Sequence, residues 1–176
     1  MFVNTVLSNA GTLVISEGAL AIEHNTRSVG APGNVVLPAG SILAFAAWSG
    51  TPTYQWTNVM QGGVVGNYAL IGRTNSDTTN TAPYRLESDT EVRLVGGALS
   101  LHGSLHGPGA LLITNSTGTL YLRGTNSYAG GTLVTTGRLS TGGASVAPLG
   151  IGDVEIRGDL NGQLWVQEGS VVTNAI

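Results

Sequence analysis

The 176-residue chain contains no cysteine and no lysine. The first absence excludes disulfides, thiolate metal sites and cysteine nucleophiles together. The second excludes a phosphate loop of the Gly-x-x-x-x-Gly-Lys type and leaves seven arginines as the only strong bases. Charged residues amount to 10%, against about 25% in an average globular domain, so surface polarity falls to Thr, Ser, Asn and Gly. A net charge of −3 without a basic cluster gives no electrostatic support for nucleic-acid binding or for adsorption to an anionic membrane. The longest apolar run, residues 42–48, is far short of the roughly 20 residues a membrane helix needs. Residues 1–10 lack the basic start and apolar stretch of a secretory signal. No Gly-x-Ser-x-Gly elbow and no calcium-binding Gly-Gly-x-Gly-x-Asp repeat occurs.

What is present is glycine, 27 residues of it, and 41% hydrophobic content. The hydrophobic fraction suffices for a continuous core, while glycine at this density interrupts any helical apolar stripe. Alternation recurs instead. Leu13 and Ile15, Leu20 and Ile22, Leu120 and Leu122, Val154 and Ile156, and Leu164 and Val166 each sit two apart, so each pair faces one side of a strand. Similar segments also return at a fixed interval. Gly11-Thr-Leu-Val-Ile-Ser-Glu-Gly18-Ala-Leu20 is followed 22 residues later by Gly33-Asn-Val-Val-Leu-Pro-Ala-Gly40-Ser-Ile42, and Gly131-Thr-Leu-Val-Thr-Thr-Gly137-Arg-Leu139 is followed 21 later by Gly152-Asp-Val-Glu-Ile-Arg-Gly158-Asp-Leu160. A period near 20 with glycine corners predicts an all-β solenoid of stacked coils, each about 20–22 residues long. The expected ladders place Leu13 above Val35 and Leu20 above Ile42. A β-sandwich or jelly roll is the alternative all-β architecture.

The run Gly118-x-Leu-x-Leu-x-Gly124-x-Asn126-x-Tyr128-x-Gly130-Gly131-Thr132-x-Val134-x-x-Gly137-x-Leu139 resembles the passenger-associated repeat of bacterial autotransporters. The resemblance covers residues 92–166 and implies a right-handed parallel β-helix displayed on, or shed from, a bacterial surface. It implies no particular activity, because one fold carries many functions. Within the motif, Leu120, Leu122, Leu133 or Val134, and Leu139 are expected in the core. Asn126 is expected to bond backbone at a corner or to stack on an asparagine of the next coil, and Tyr128 to cover the turn. No translocating barrel follows Ile176 and no export signal precedes Met1, so the expectation is a piece of a longer solenoid.

Residues 48–86 break the rhythm and gather Trp48, Tyr54, Trp56, Tyr68 and Tyr84. They form either an irregular coil or a projecting loop, and their aromatics either fill a bulged coil or stack on sugar rings. Arg85, Glu87, Asp89, Glu91 and Arg93 alternate, which places all five on one strand face toward solvent. A carboxylate pair for general acid–base work could be drawn from Glu87 with Asp89 or Glu91; ion pairing on a solvated face is the structural reading. His102 and His106 flank Gly103-Ser-Leu, too far apart in an extended strand to share a metal. His24 with Arg27 suggests still less, and Asn115-Ser-Thr117 fits a glycosylation sequon.

The reading that unites these features is one solenoid segment over residues 1–176. It has no enzymatic role, cofactor or metal, is extracellular or at the bacterial cell surface, and acts as a stiff stalk or a self-associating fibre unit pairing through its ends. The alternative is an adhesin-type module that binds glycans or a host surface through the aromatics of 48–84. A polysaccharide lyase or hydrolase built on Glu87, Asp89 and Glu91 ranks third.

Overall fold

The computed structural model describes residues 2–3, 6–7, 11–23, 27–28, 33–46, 56–67, 78–142 and 148–175. Within them the chain is a β-solenoid made of parallel sheets, with one short 3-10 turn, Gly158–Leu160. The longest sheet has eight strands: Phe2–Val3, Gly18–Glu23, Ser41–Ala46, Val64–Asn67, Thr90–Arg93, Leu111–Ile113, Thr132–Val134 and Val154–Ile156. A second sheet stacks Thr78–Asn80, Ala98–Leu101, Thr119–Leu122, Gly137–Thr141 and Gly162–Val166. The third runs Leu13–Val14, Asn34–Pro38, Thr57–Gln61, Tyr84–Leu86 and Leu105–His106, and Val6–Leu7 pairs with Arg27–Ser28 beside it.

Alternation drives this arrangement. A strand of two to six residues offers only one to three inward side chains, so no coil closes a core alone and each must stack on the next. In the long sheet Leu20, Leu43, Val65, Val92, Ile113, Val134 and Ile156 lie in one parallel register. All but Ile156 are buried. Full burial of such a side chain contributes about 1.5–3 kcal/mol, and β-branched rungs suit the pleated surface. In the second sheet Leu99, Leu120, Leu139 and Leu164 form the matching inward ladder. Thr90 pairs with Leu111, Leu111 with Thr132 and Thr132 with Val154, so these coils advance by 21, 21 and 22 residues.

Register separates the expected ladders from the observed ones. Leu13 does pair with Val35. Leu20, however, pairs with Leu43, and Ile42 lies beside Ala19. The corner through Ala39 and Gly40 carries one residue more than the corner before Gly18, and a one-residue slip exchanges the two faces of a strand. Likewise Gly137 pairs with Gly162, not with Gly158, because the Gly158–Leu160 turn is inserted before the strand. In the irregular region Thr57–Gln61 is paired on both sides, by Asn34–Pro38 and by Tyr84–Leu86. Val64–Asn67 is likewise flanked by Ser41–Ala46 and Thr90–Arg93. Residues 56–67 are therefore an integral coil. The step from Val64 to its partner Glu91 spans 27 residues, and that extra length includes residues 68–77, outside the described set.

Candidate functional site

The five aromatics singled out in the sequence divide two ways. Trp48, Tyr54 and Tyr68 lie outside the described residues. Trp56 and Tyr84 are core residues, 6% and 1% exposed, and this corrects their assignment as sugar-stacking groups. Both sit where the third sheet faces inward, and their polar atoms are satisfied internally. Trp56 Nε1 donates to Asn58 Oδ1 at 3.2 Å, and the Tyr84 hydroxyl donates to Asn80 Oδ1 at 3.0 Å. A buried aromatic with a polar tip needs such a partner. The polar residue placed two or four positions away was the signal that these rings point inward.

The alternating charges from Arg85 to Arg93 do not share one strand. A corner at Glu87, Ser88 and Asp89 separates Tyr84–Leu86 from Thr90–Arg93, so Arg85 lies on the third sheet, Glu91 and Arg93 on the long sheet, and Glu87 and Asp89 in the corner between them. Arg85 pairs with Glu87 at 2.6 Å. Arg93 grips Glu91 with both Nε and a terminal nitrogen, at 2.7 and 2.6 Å, and Thr114 donates its hydroxyl to the same carboxylate. Burial pushes the Glu91 carboxyl upward, but the hydrogen bonds from Arg93 and Thr114 and the arginine's charge outweigh it and hold the group below its ordinary value. Asp89 Oδ1 accepts the Ala110 amide at 3.0 Å. These carboxylates are tied to arginines and to the backbone, an arrangement suited to bracing coils against one another.

His102 and His106 fall on different sheets, the first just beyond Ala98–Leu101 and the second inside Leu105–His106. Among the described residues no three of His, Cys, Asp and Glu gather closely enough to hold a metal.

The motif residues are structural in detail. Asn126, buried, joins three coils: its Oδ1 accepts the Leu105 amide at 2.8 Å, and its Nδ2 donates to the Pro148 carbonyl at 2.6 Å. Tyr128 does not cover the turn from outside. It is fully buried, with its hydroxyl 2.6 Å from Thr132 Oγ1, and burial raises its pKa.

Two surfaces remain. The first is the last described coil, where Val154–Ile156 and Gly162–Val166 are the last strands of their sheets and the Val154 amide donates to the Ala175 carbonyl at 2.9 Å. Ile156, Leu164 and Val172 pack on the core yet stay half-exposed. Val166 occupies the inward column of Leu101, Leu122 and Thr141 but is 53% exposed, because no described strand stacks beyond it.

The second surface is the outer side of the second sheet. Register aligns Ser100, Tyr121, Ser140 and Trp165 in one column, and Ala98, Thr119, Arg138 and Gln163 in the next. The Arg138 guanidinium lies 3.6 Å from the centre of the Trp165 ring, and that of Arg123 lies 5.1 Å from Tyr121. Trp165 is a large exposed aromatic that sequence reading passed over; its single-residue alternation with inward Leu164 marked it as outward-facing.

No family model, curated protein or solved structure matches this chain.

Proposed function

We propose that the chain is a non-catalytic structural segment, a stiff β-solenoid that spaces or displays other modules and extends by end-to-end stacking. The observation that carries this reading is the unbroken inward ladder of buried side chains. Leu20 to Val134 are buried by the coils on either side, whereas Ile156, Leu164 and Val166 have a neighbour on one side only. The Val154 amide is taken by the Ala175 carbonyl, but no described strand lies beyond Gly162–Val166, and an edge with exposed apolar side chains is a template for another strand. The motif resembling the autotransporter passenger repeat supports a setting at the bacterial surface or in the medium, since its residues here serve coil-to-coil packing and no chemistry.

Electron microscopy across a concentration series, with light scattering, tests the stacking. Uniform fibres of single-solenoid width that lengthen with concentration are expected. Val166→Lys should suppress elongation while leaving the circular dichroism spectrum unchanged, because a charge on an edge strand blocks pairing. Monodisperse short rods at every concentration would remove end-to-end stacking from the reading.

A further inference from the structure

The outer side of the second sheet carries two arginines seated on aromatic rings. Its five strands, Thr78–Asn80, Ala98–Leu101, Thr119–Leu122, Gly137–Thr141 and Gly162–Val166, contain no Asp or Glu, in a chain with ten acids and net charge −3. Arg85, Arg93 and Arg157 each bond a carboxylate two residues away. Arg123 and Arg138 have no carboxylate within ion-pair distance among the described residues and instead rest against Tyr121 and Trp165. A guanidinium on an aromatic face is held in place while its N–H groups stay free for a further partner.

The aromatics are also spaced. Tyr121 pairs with Ser140 and Ser140 with Trp165, so the two rings stand two strands apart, about 9.5 Å along the solenoid axis. That is the length of a disaccharide. Between them the fully buried Ser140 hydroxyl has no hydrogen-bond partner among the described residues, and a buried polar group in that state requires explanation. Arg138 and Gln163 are joined by a 3.3 Å hydrogen bond, and with Thr119 they edge a groove of about 380 Å³ that is also lined by Thr117, Thr136 and Asn161. On the far side Arg123 lies across Gly142, where any Cβ would collide with its side chain, so the missing side chain at 142 gives the arginine its resting place. His102, one coil before Arg123 in the register that pairs Leu101 with Leu122, has its pKa lowered by partial burial and then by the Arg123 charge.

We propose that this face binds a linear acidic polysaccharide lying along the solenoid axis. Sugar rings stack on the free sides of Tyr121 and Trp165. Carboxylate or sulfate groups pair with Arg123 and Arg138, and ring hydroxyls bond Thr119, Gln163 and the groove. The site is on the flank of the second sheet, and its last strand, Gly162–Val166, is also the one that end stacking would pair.

The test uses two β-linked polymers with one backbone and different charge, carboxymethyl cellulose and hydroxyethyl cellulose. Heparin supplies a sulfated probe and duplex DNA a non-sugar polyanion. Affinity electrophoresis and titration calorimetry are run at protein concentrations where light scattering shows no fibres. Binding to carboxymethyl cellulose, to heparin or to both, at least tenfold tighter than to hydroxyethyl cellulose, is expected; which acidic polymer wins assigns carboxylate or sulfate as the anion. Arg123→Gln with Arg138→Gln should weaken binding at least tenfold, and Trp165→Ala at least fivefold, whereas Arg85→Gln should change it less than twofold. If Trp165→Ala perturbs the fold, Trp165→Phe with retained binding serves in its place. Failure to bind either acidic polymer would overturn the proposal, as would equal binding of hydroxyethyl cellulose, DNA binding as tight as the best polysaccharide, or full affinity in the double arginine variant.

Discussion

Replacing Asn126 by alanine removes a side chain that bridges three successive coils. The Leu105 amide loses its acceptor and the Pro148 carbonyl loses its donor, both in buried surroundings. Each orphaned buried group costs about 1–3 kcal/mol, so the variant should lose roughly 2–6 kcal/mol, a large part of the approximately 5–15 kcal/mol that holds a domain folded. Denaturant unfolding measures the total, and amide hydrogen exchange reads the parts. The Leu105 amide should lose protection selectively in Asn126→Ala. Asn126→Asp keeps an acceptor for that amide and should preserve its protection while still losing the bond to Pro148. A destabilisation below about 1 kcal/mol, with Leu105 protection unchanged, would refute the bridging role and mean that water or a relaxed backbone satisfies both groups.

Two further perturbations separate other contributions. Gly103→Ala places a Cβ against the Ala82 carbonyl of the preceding coil, a backbone overlap that no rotamer relieves. It should cost about 3 kcal/mol or more. Gly40→Ala meets no atom within 4 Å but keeps a φ of +87°, so the left-handed strain alone should cost about 1–2 kcal/mol; equal losses in thermal melts would show that coil spacing is not the constraint at 103. Glu91 has a folded-state pKa below its ordinary value of 4.5. Its contribution to stability is therefore present above the unfolded-state pKa and lost as pH falls through the folded one. Unfolding free energy measured from neutral pH into the acid range should fall less steeply in Glu91→Gln, and an identical slope would place the acid sensitivity elsewhere.

The apolar pairs at spacing two and the recurrence near 21 were legible because a parallel coil repeats its inward positions at a nearly constant interval. Leu13 over Val35 and the inward Leu120 and Leu122 follow from that alone. The ladder through Leu20 did not, since a single extra corner residue shifts the partner from Ile42 to Leu43, and corner length leaves no apolar signature. The aromatics stayed ambiguous for a related reason. Trp56 and Tyr84 among polar neighbours allowed either a bulged coil or a sugar-stacking face; those neighbours, Asn58 and Asn80, are buried with them and satisfy their polar tips. The alternating run from Arg85 to Arg93 concealed a corner, because Ser88 between two acids carries no glycine or proline to mark it.

The amino-acid sequence by itself determined that the chain is all-β, that its coils stack in parallel, and that a Leu, Ile and Val interior runs their length. Local alternation and period are sufficient for those. Only the tertiary structure decided which arginines are consumed by neighbouring acids and which rest on aromatics. It alone also brought Tyr121, Ser140 and Trp165 into one column. Residues from three coils meet there through inter-strand register, a property of the stack that no single coil encodes.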